Sequence, residues 1–160
     1  MKYSIFIFIT LFLSFKIQAQ NEKSFAKNDE ITIPLGTELK LNVKENNGKF
    51  SNFKIISESK ITNPIDMMST LEKIEKKEIV SDDIDFKFSQ ADFMGSKLVI
   101  LTTVQNFTKP IIFKAKIRIK GNNEYIETSI VPKAPNVFSV EQWQDPIDSI
   151  ILSDFKFTDQ

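Results

Sequence analysis

Ile111-Ile112-Phe113-Lys114-Ala115-Lys116-Ile117-Arg118-Ile119-Lys120 is the stretch on which the fold of this chain turns. Ile111, Phe113, Ala115, Ile117 and Ile119 share one parity, and Lys114, Lys116, Arg118 and Lys120 share the other. A strand sends successive side chains to opposite faces, so this alternation describes a strand with one face in a core and one in water. Gly121-Asn122-Asn123 follows as a run of turn formers. An Asn122-Asn123 turn aligns Ile119 with Ile126, Ile117 with Thr128 and Ala115 with Ile130, and sets Arg118 opposite Glu127.

The same period extends in both directions. Ile31 and Ile33 precede the turn-like Pro34-Leu35-Gly36, and Leu39, Leu41 and Val43 alternate with Lys40 and Asn42. A three-residue loop Asn46-Asn47-Gly48 pairs Leu41 with Phe53 and Leu39 with Ile55, whereas a two-residue Asn47-Gly48 loop pairs Leu41 with Lys54. The longer loop keeps the apolar face and is the expected one. Ile84, Phe86 and Phe88 resume the pattern, then Lys97 to Val104, a short strand around Val137 to Val140 and a last strand from Ile147 to Phe157. One segment changes period: Asn63 can cap, Pro64 fits a first helical position, and Met67, Leu71 and Ile74 fall at i, i+4 and i+7, which predicts a short helix over 64–77.

These elements predict an all-β protein, an antiparallel β-sandwich of about eight or nine strands with one short helix. An immunoglobulin-like arrangement comes first, although the cysteine pair that marks a true immunoglobulin domain is absent. A jelly roll or a small barrel is the alternative, because strand order is not written in local pattern. The expected organisation is a cleaved signal peptide over 1–19, a flexible lead-in over 20–29 and a single sandwich domain over 30–160. Lys2 supplies a positive start, Tyr3 to Phe15 an apolar run, and Ile17-Gln18-Ala19 a small residue before Gln20. The run is about thirteen residues, against roughly twenty for a bilayer-spanning helix, so no transmembrane span is expected after cleavage. Arg118 is the single arginine among 21 basic residues, and with the many Ile, Phe and Asn this is the composition of an AT-rich bacterial genome, so export is expected to place the protein in the periplasm or outside the cell.

Composition removes most chemistries. The 160 residues hold no histidine and no cysteine, so Ser-His-Asp triads, thiolate nucleophiles, disulfides and His- or Cys-ligated metals cannot be built. The four glycines, Gly36, Gly48, Gly95 and Gly121, are too widely spaced for a phosphate-cradling loop. Basic and acidic residues number 21 each, and losing Lys2 and Lys16 with the leader leaves the mature chain at net −2, which argues against nucleic acid as a partner. No cofactor is implied. Ser81-Asp82-Asp83-Ile84-Asp85 and the group Asp145, Asp148 and Asp154 lack the spacing of a calcium loop and read as solvated turns, so no metal site is expected. Four Ser-x-x-Lys matches, at Ser24, Ser51, Ser57 and Ser153, fall on strands or in the lead-in, where serine and lysine cannot share a face as on a helix.

The candidate binding residues are the basic stripe Lys114, Lys116, Arg118 and Lys120, suited to an acidic glycan or an acidic partner, and the lone Trp143, suited to stacking on a sugar. Each has a plainer reading: a solvated sheet face for the stripe, and core packing for the tryptophan. The expected function is a noncatalytic binding or accessory module of the cell envelope, whose partner is an envelope protein or polysaccharide. A carboxylate-dependent glycan hydrolase is the alternative, since two suitably spaced carboxyls suffice for that reaction. Mass spectrometry of the protein recovered from its own cells is expected to give a chain starting at Gln20, and an intact Met1 in membrane fractions would contradict the cleaved leader.

Overall fold

The computed structural model describes residues 22–67 and 83–158, and its regular elements are all strands. They are β1 (Phe25–Lys27), β2 (Glu30–Pro34), β3 (Thr37–Asn46), β4 (Lys49–Lys60), β5 (Ile65–Asp66), β6 (Asp83–Phe93), β7 (Ser96–Gln105), β8 (Ile111–Ile119), β9 (Tyr125–Thr128), β10 (Ser139–Trp143) and β11 (Ile147–Phe157). The all-β, antiparallel class is therefore as the alternation predicts, with eleven strands in place of eight or nine. The two additional strands are β1 and β5.

β1 lies inside the stretch expected to be a flexible lead-in. Lys27 pairs with Glu30 across Asn28 and Asp29, whose φ values of 53° and 59° are those of a two-residue hairpin turn that matches strand twist. Asn and Asp tolerate that left-handed backbone, so the polar lead-in carries its own hairpin. β5 replaces the expected start of the helix: Ile65 and Asp66 pair in parallel with Ala91 and Asp92 of β6. The rest of that helix, from residue 68 on, lies outside the described residues.

All eleven strands belong to one sheet. β11 is its hub. Along one edge it pairs with β8, and along the other with β2 at Ser149–Leu152 and then with β4 at Lys156. From β4 the order continues through β3, β6, β7 and β10, while β9 lies beyond β8. β6 and β8 are far apart in this order, yet Phe86 and Phe113 meet edge-on with ring centroids 5.9 Å apart. The sheet has therefore curled until its inner face packs on itself, the arrangement of a sandwich or a barrel-like fold. Phe155 of β11 stands between them, stacked on Phe113 at 4.7 Å and edge-on to Phe53 at 5.1 Å. Such pairs contribute about 0.5–1.5 kcal/mol each beyond the area they bury.

Two registers differ from the expected ones, both because bulges and tertiary contacts reset the count. The β3–β4 turn is the two-residue Asn47-Gly48, with Asn46 opposite Lys49. A bulge at Asn52, φ 55°, then restores the apolar face, so that Leu41 meets Ile55. In the β8–β9 hairpin Ala115 faces Thr128, Lys116 faces Glu127 and Arg118 faces Tyr125, two residues away from the two-residue-turn alignment. Ile119 is drawn instead to Ile147 of β11, and the Lys120 amide donates to the Pro146 carbonyl at 2.7 Å, which lengthens the loop. A shift of two keeps every side chain on its face.

Gly36 is a position where any side chain would be strained. Its φ is 80°, its amide donates to the Phe88 carbonyl, its carbonyl accepts from the Ile61 amide, and a Cβ would lie 3.1 Å from the Ile61 oxygen.

The curled sheet leaves β9 and β10 as facing edges, and side chains join them. Trp143 Nε1 donates to Thr128 Oγ1 at 3.0 Å, and the Val131 amide donates to Glu141 Oε1 at 3.1 Å. The same carboxylate forms an ion pair with Lys133, whose side chain is 1% exposed and whose backbone exchanges two hydrogen bonds with Ile111. Gln105, fully buried, completes the join. Its Nε2 donates to the carbonyls of Lys109 and Lys133, and its Oε1 accepts from the Phe107 amide. Removing one partner of a buried ion pair strands the other charge, so Glu141→Ala is expected to lower the unfolding free energy by about 3–5 kcal/mol. Replacing both partners, as in Lys133→Met with Glu141→Leu, is expected to cost far less. Urea unfolding of the two variants measures this, and equal losses would show that the charge pair is not what holds the edges.

Candidate functional site

A recess in the surface lies over the irregular end of β11. Between Ser153 and Lys156 the pairing with β8 slips by one residue, and Asp154 takes a left-handed φ of 54°. This bulge, the β1–β2 turn and the start of β4 enclose a cleft of about 640 Å³. Lys114 and Lys116 enter from β8, Lys49 and Lys156 from the adjoining strands, and Asp154 and Glu127 supply opposite charge. The cleft is thus of mixed sign. Lys114 Nζ pairs with Asp154 Oδ2 at 2.6 Å, which raises the lysine pKa and holds the Asp154 carboxyl below the usual range, with Lys49 and Lys156 adding to the latter effect.

The predicted basic stripe divides into parts with different duties. Lys114 and Lys116 line the cleft, and Lys116 stands opposite Glu127. Arg118 is held in a packed network on the same outer face. Its Nε donates to Asp148 Oδ1 at 2.7 Å, the guanidinium lies 5.5 Å from the Tyr125 ring centre, and Glu22 approaches at 3.5 Å. The Asp148 contact pushes its pKa further up. Tyr125 and Asp148 both reach Ser149 Oγ, at 2.9 Å each, and Ser149 is fully buried. Lys120 sits exposed in the β8–β9 loop, away from the cleft.

Trp143 is not brought near the stripe's cleft. It is half-buried at the β9–β10 join, edge-on to Phe88 at 6.5 Å, and its single polar atom is committed to Thr128. The carboxylates read as solvated turns are separated: Asp83 accepts from Asn42 Nδ2, Asp85 pairs with Lys40, and Asp148 and Asp154 pair with Arg118 and Lys114. Among the described residues no group of three or more carboxylates is placed to hold a metal ion. Local pattern gave no reason to single out Gln105, Lys133 or Glu141. Their importance comes from a chain crossing between two edges, for which Pro132 and Pro135 around Lys133 were the only local sign.

Compared with models of known protein families, with curated proteins and with solved structures, the chain matches none.

The Trp143 environment makes a direct prediction. Its emission is expected to be blue-shifted from that of tryptophan in water and unmoved by neutral glycans. Trp143→Phe is expected to lose about 1 kcal/mol of stability with the indole hydrogen bond. A water-like emission that shifts on adding a sugar polymer would return Trp143 to the role of a platform.

Proposed function

We propose that this chain is an exported bacterial β-domain without catalytic activity, acting as a binding or accessory module of the cell envelope. Export rests on the leader-like pattern of residues 1–19. The observation that carries the binding reading is the cleft over the β11 bulge, where charges of both signs line a groove of the size that accommodates small ligands or polymer segments. Its partner is an envelope protein or a polysaccharide.

The noncatalytic reading draws support from the same groove. Glycoside hydrolysis needs a carboxyl kept protonated near neutral pH, whereas Asp154 of this groove is ion-paired with Lys114 at 2.6 Å, which favours its charged form. The accessory reading has its own support: Ile126, Val131 and Val137 are about half exposed beside the free edges of β9 and β10.

Lys116 and Lys120 make no ion pair among the described residues and can be changed without dismantling the fold. Tagged mature protein purified from its own envelope is expected to retain one partner or polymer, and Lys116→Glu is expected to reduce that retention about tenfold, the equivalent of ~1.4 kcal/mol. Glycan turnover by the purified chain that disappears in Asp154→Asn would replace this reading with the hydrolase.

A further inference from the structure

The end of the molecule formed by the Asn47-Gly48 turn carries an arrangement that folding alone does not favour. Lys49 of β4 and Lys156 of β11 are direct cross-strand partners. Like charges so placed destabilise a sheet. Lys109, from the β7–β8 loop, joins them around a second cleft of about 470 Å³ that also includes Glu45 and Phe157. Among the described residues none of the three lysines forms an ion pair. Of the nearby carboxylates, Glu45 accepts from the Gly48 amide at 2.6 Å, and Asp154 pairs with Lys114 and acts on Lys49 and Lys156 only through space. The cleft is rigidly framed: the Phe157 amide donates to the Gly48 carbonyl, the Thr158 amide donates to the Pro110 carbonyl, and the Phe157 ring packs against Phe50 and Phe107.

We infer that Lys49, Lys109 and Lys156 form a binding site for tetrahedral oxyanions, the sulfate or phosphate groups of an anionic polysaccharide. Three ammonium groups around a recess supply donors and charge to which an oxyanion is drawn, and its negative charge offsets part of the repulsion between the paired lysines. Lys49 and Lys156 also line the cleft over the β11 bulge, so the two recesses share these side chains as a common wall. Two adjoining recesses suit an extended polymer better than an isolated head group. A lipid surface is disfavoured because the exposed Phe93 and Met94 lie at the other end of β6, whose Asp83 end neighbours the lysines through β3. The inference concerns the purified chain and stands whether or not the envelope reading does.

The test uses the mature chain in titration calorimetry with dextran sulfate, neutral dextran and vesicles of phosphatidylglycerol. Dextran sulfate is expected to bind, more weakly as salt rises, and neutral dextran to give no heat. Substituting Lys49, Lys109 and Lys156 together by Gln is expected to weaken binding at least tenfold, while Lys54→Gln with Lys97→Gln, exposed and outside both clefts, changes it less than threefold. Lys156→Gln alone is expected to raise the melting temperature by relieving its opposition to Lys49. Equal losses in the two multiple variants, retention of binding in the triple variant, or binding to the vesicles and not to dextran sulfate would each overturn the assignment. A lowered melting temperature in Lys156→Gln would overturn it as well, by showing that the lysine is held there for stability.

Discussion

A single sheet with one apolar face has to bury that face, and here it does so by curling until Phe86 of β6, Phe113 of β8 and Phe155 of β11 meet. Curling brings two free edges, β9 and β10, side by side without a backbone ladder between them. Unpaired edge groups near a core must find partners. The crossing segment from Val131 to Asn136 supplies them. Lys133 pairs with β8 through its backbone and with Glu141 of β10 through its side chain, and the Asn136 amide bonds to the Gln105 carbonyl of β7. The rest of the molecule is supported by this closure, since opening it would expose the inner face along its whole length.

An ion pair at that position is a specific solution with a cost. Withdrawing an ammonium group from water is unfavourable by several kcal/mol, about the scale at which a well-packed apolar pair does as well or better. What the polar choice adds is alignment. Glu141 also accepts the Val131 amide, and the Lys133 carbonyl also accepts from Gln105, so one register of the crossing segment satisfies every group and a slip of one residue satisfies few. Alanine-sized or purely apolar substitutes would leave that register to packing alone.

How far the sequence could be read follows from the range of each interaction. Alternation is local, so the strands carrying Ile31, Leu39, Phe86, Leu101, Phe113 and Leu152 were legible, and all six residues are buried. Register was less legible. It depends on left-handed residues such as Asn52 and Asp154, which look like any polar residue until their neighbours are placed. β5 was missed because two residues of parallel pairing leave no period, and Pro64 suits a first helical position as readily as the approach to a strand. The stripe on β8 was visible as charge, but its division was not, since Arg118 meets Asp148 and Lys114 meets Asp154 only through β11. Lys49 and Lys156 are 107 positions apart in the chain, and nothing local ties one to the other.

That last pair bears on how function can be located in a chain whose fold is otherwise self-consistent. Most local choices here agree with the global structure: turn residues suit their φ values, apolar residues point inward, and carboxylates answer cations at Lys40, Lys87, Lys114 and Arg118. Against that background, two lysines in direct register with a third beside them are a conflict the fold did not require. Glu45 is turned to the Gly48 amide, and the bulge pairs Asp154 with Lys114, which leaves it to act on Lys49 and Lys156 only through space. Departures of this kind persist where something other than folding selects them. The end of the sheet at the Asn47-Gly48 turn is therefore the place where stability and binding make different demands on the same side chains.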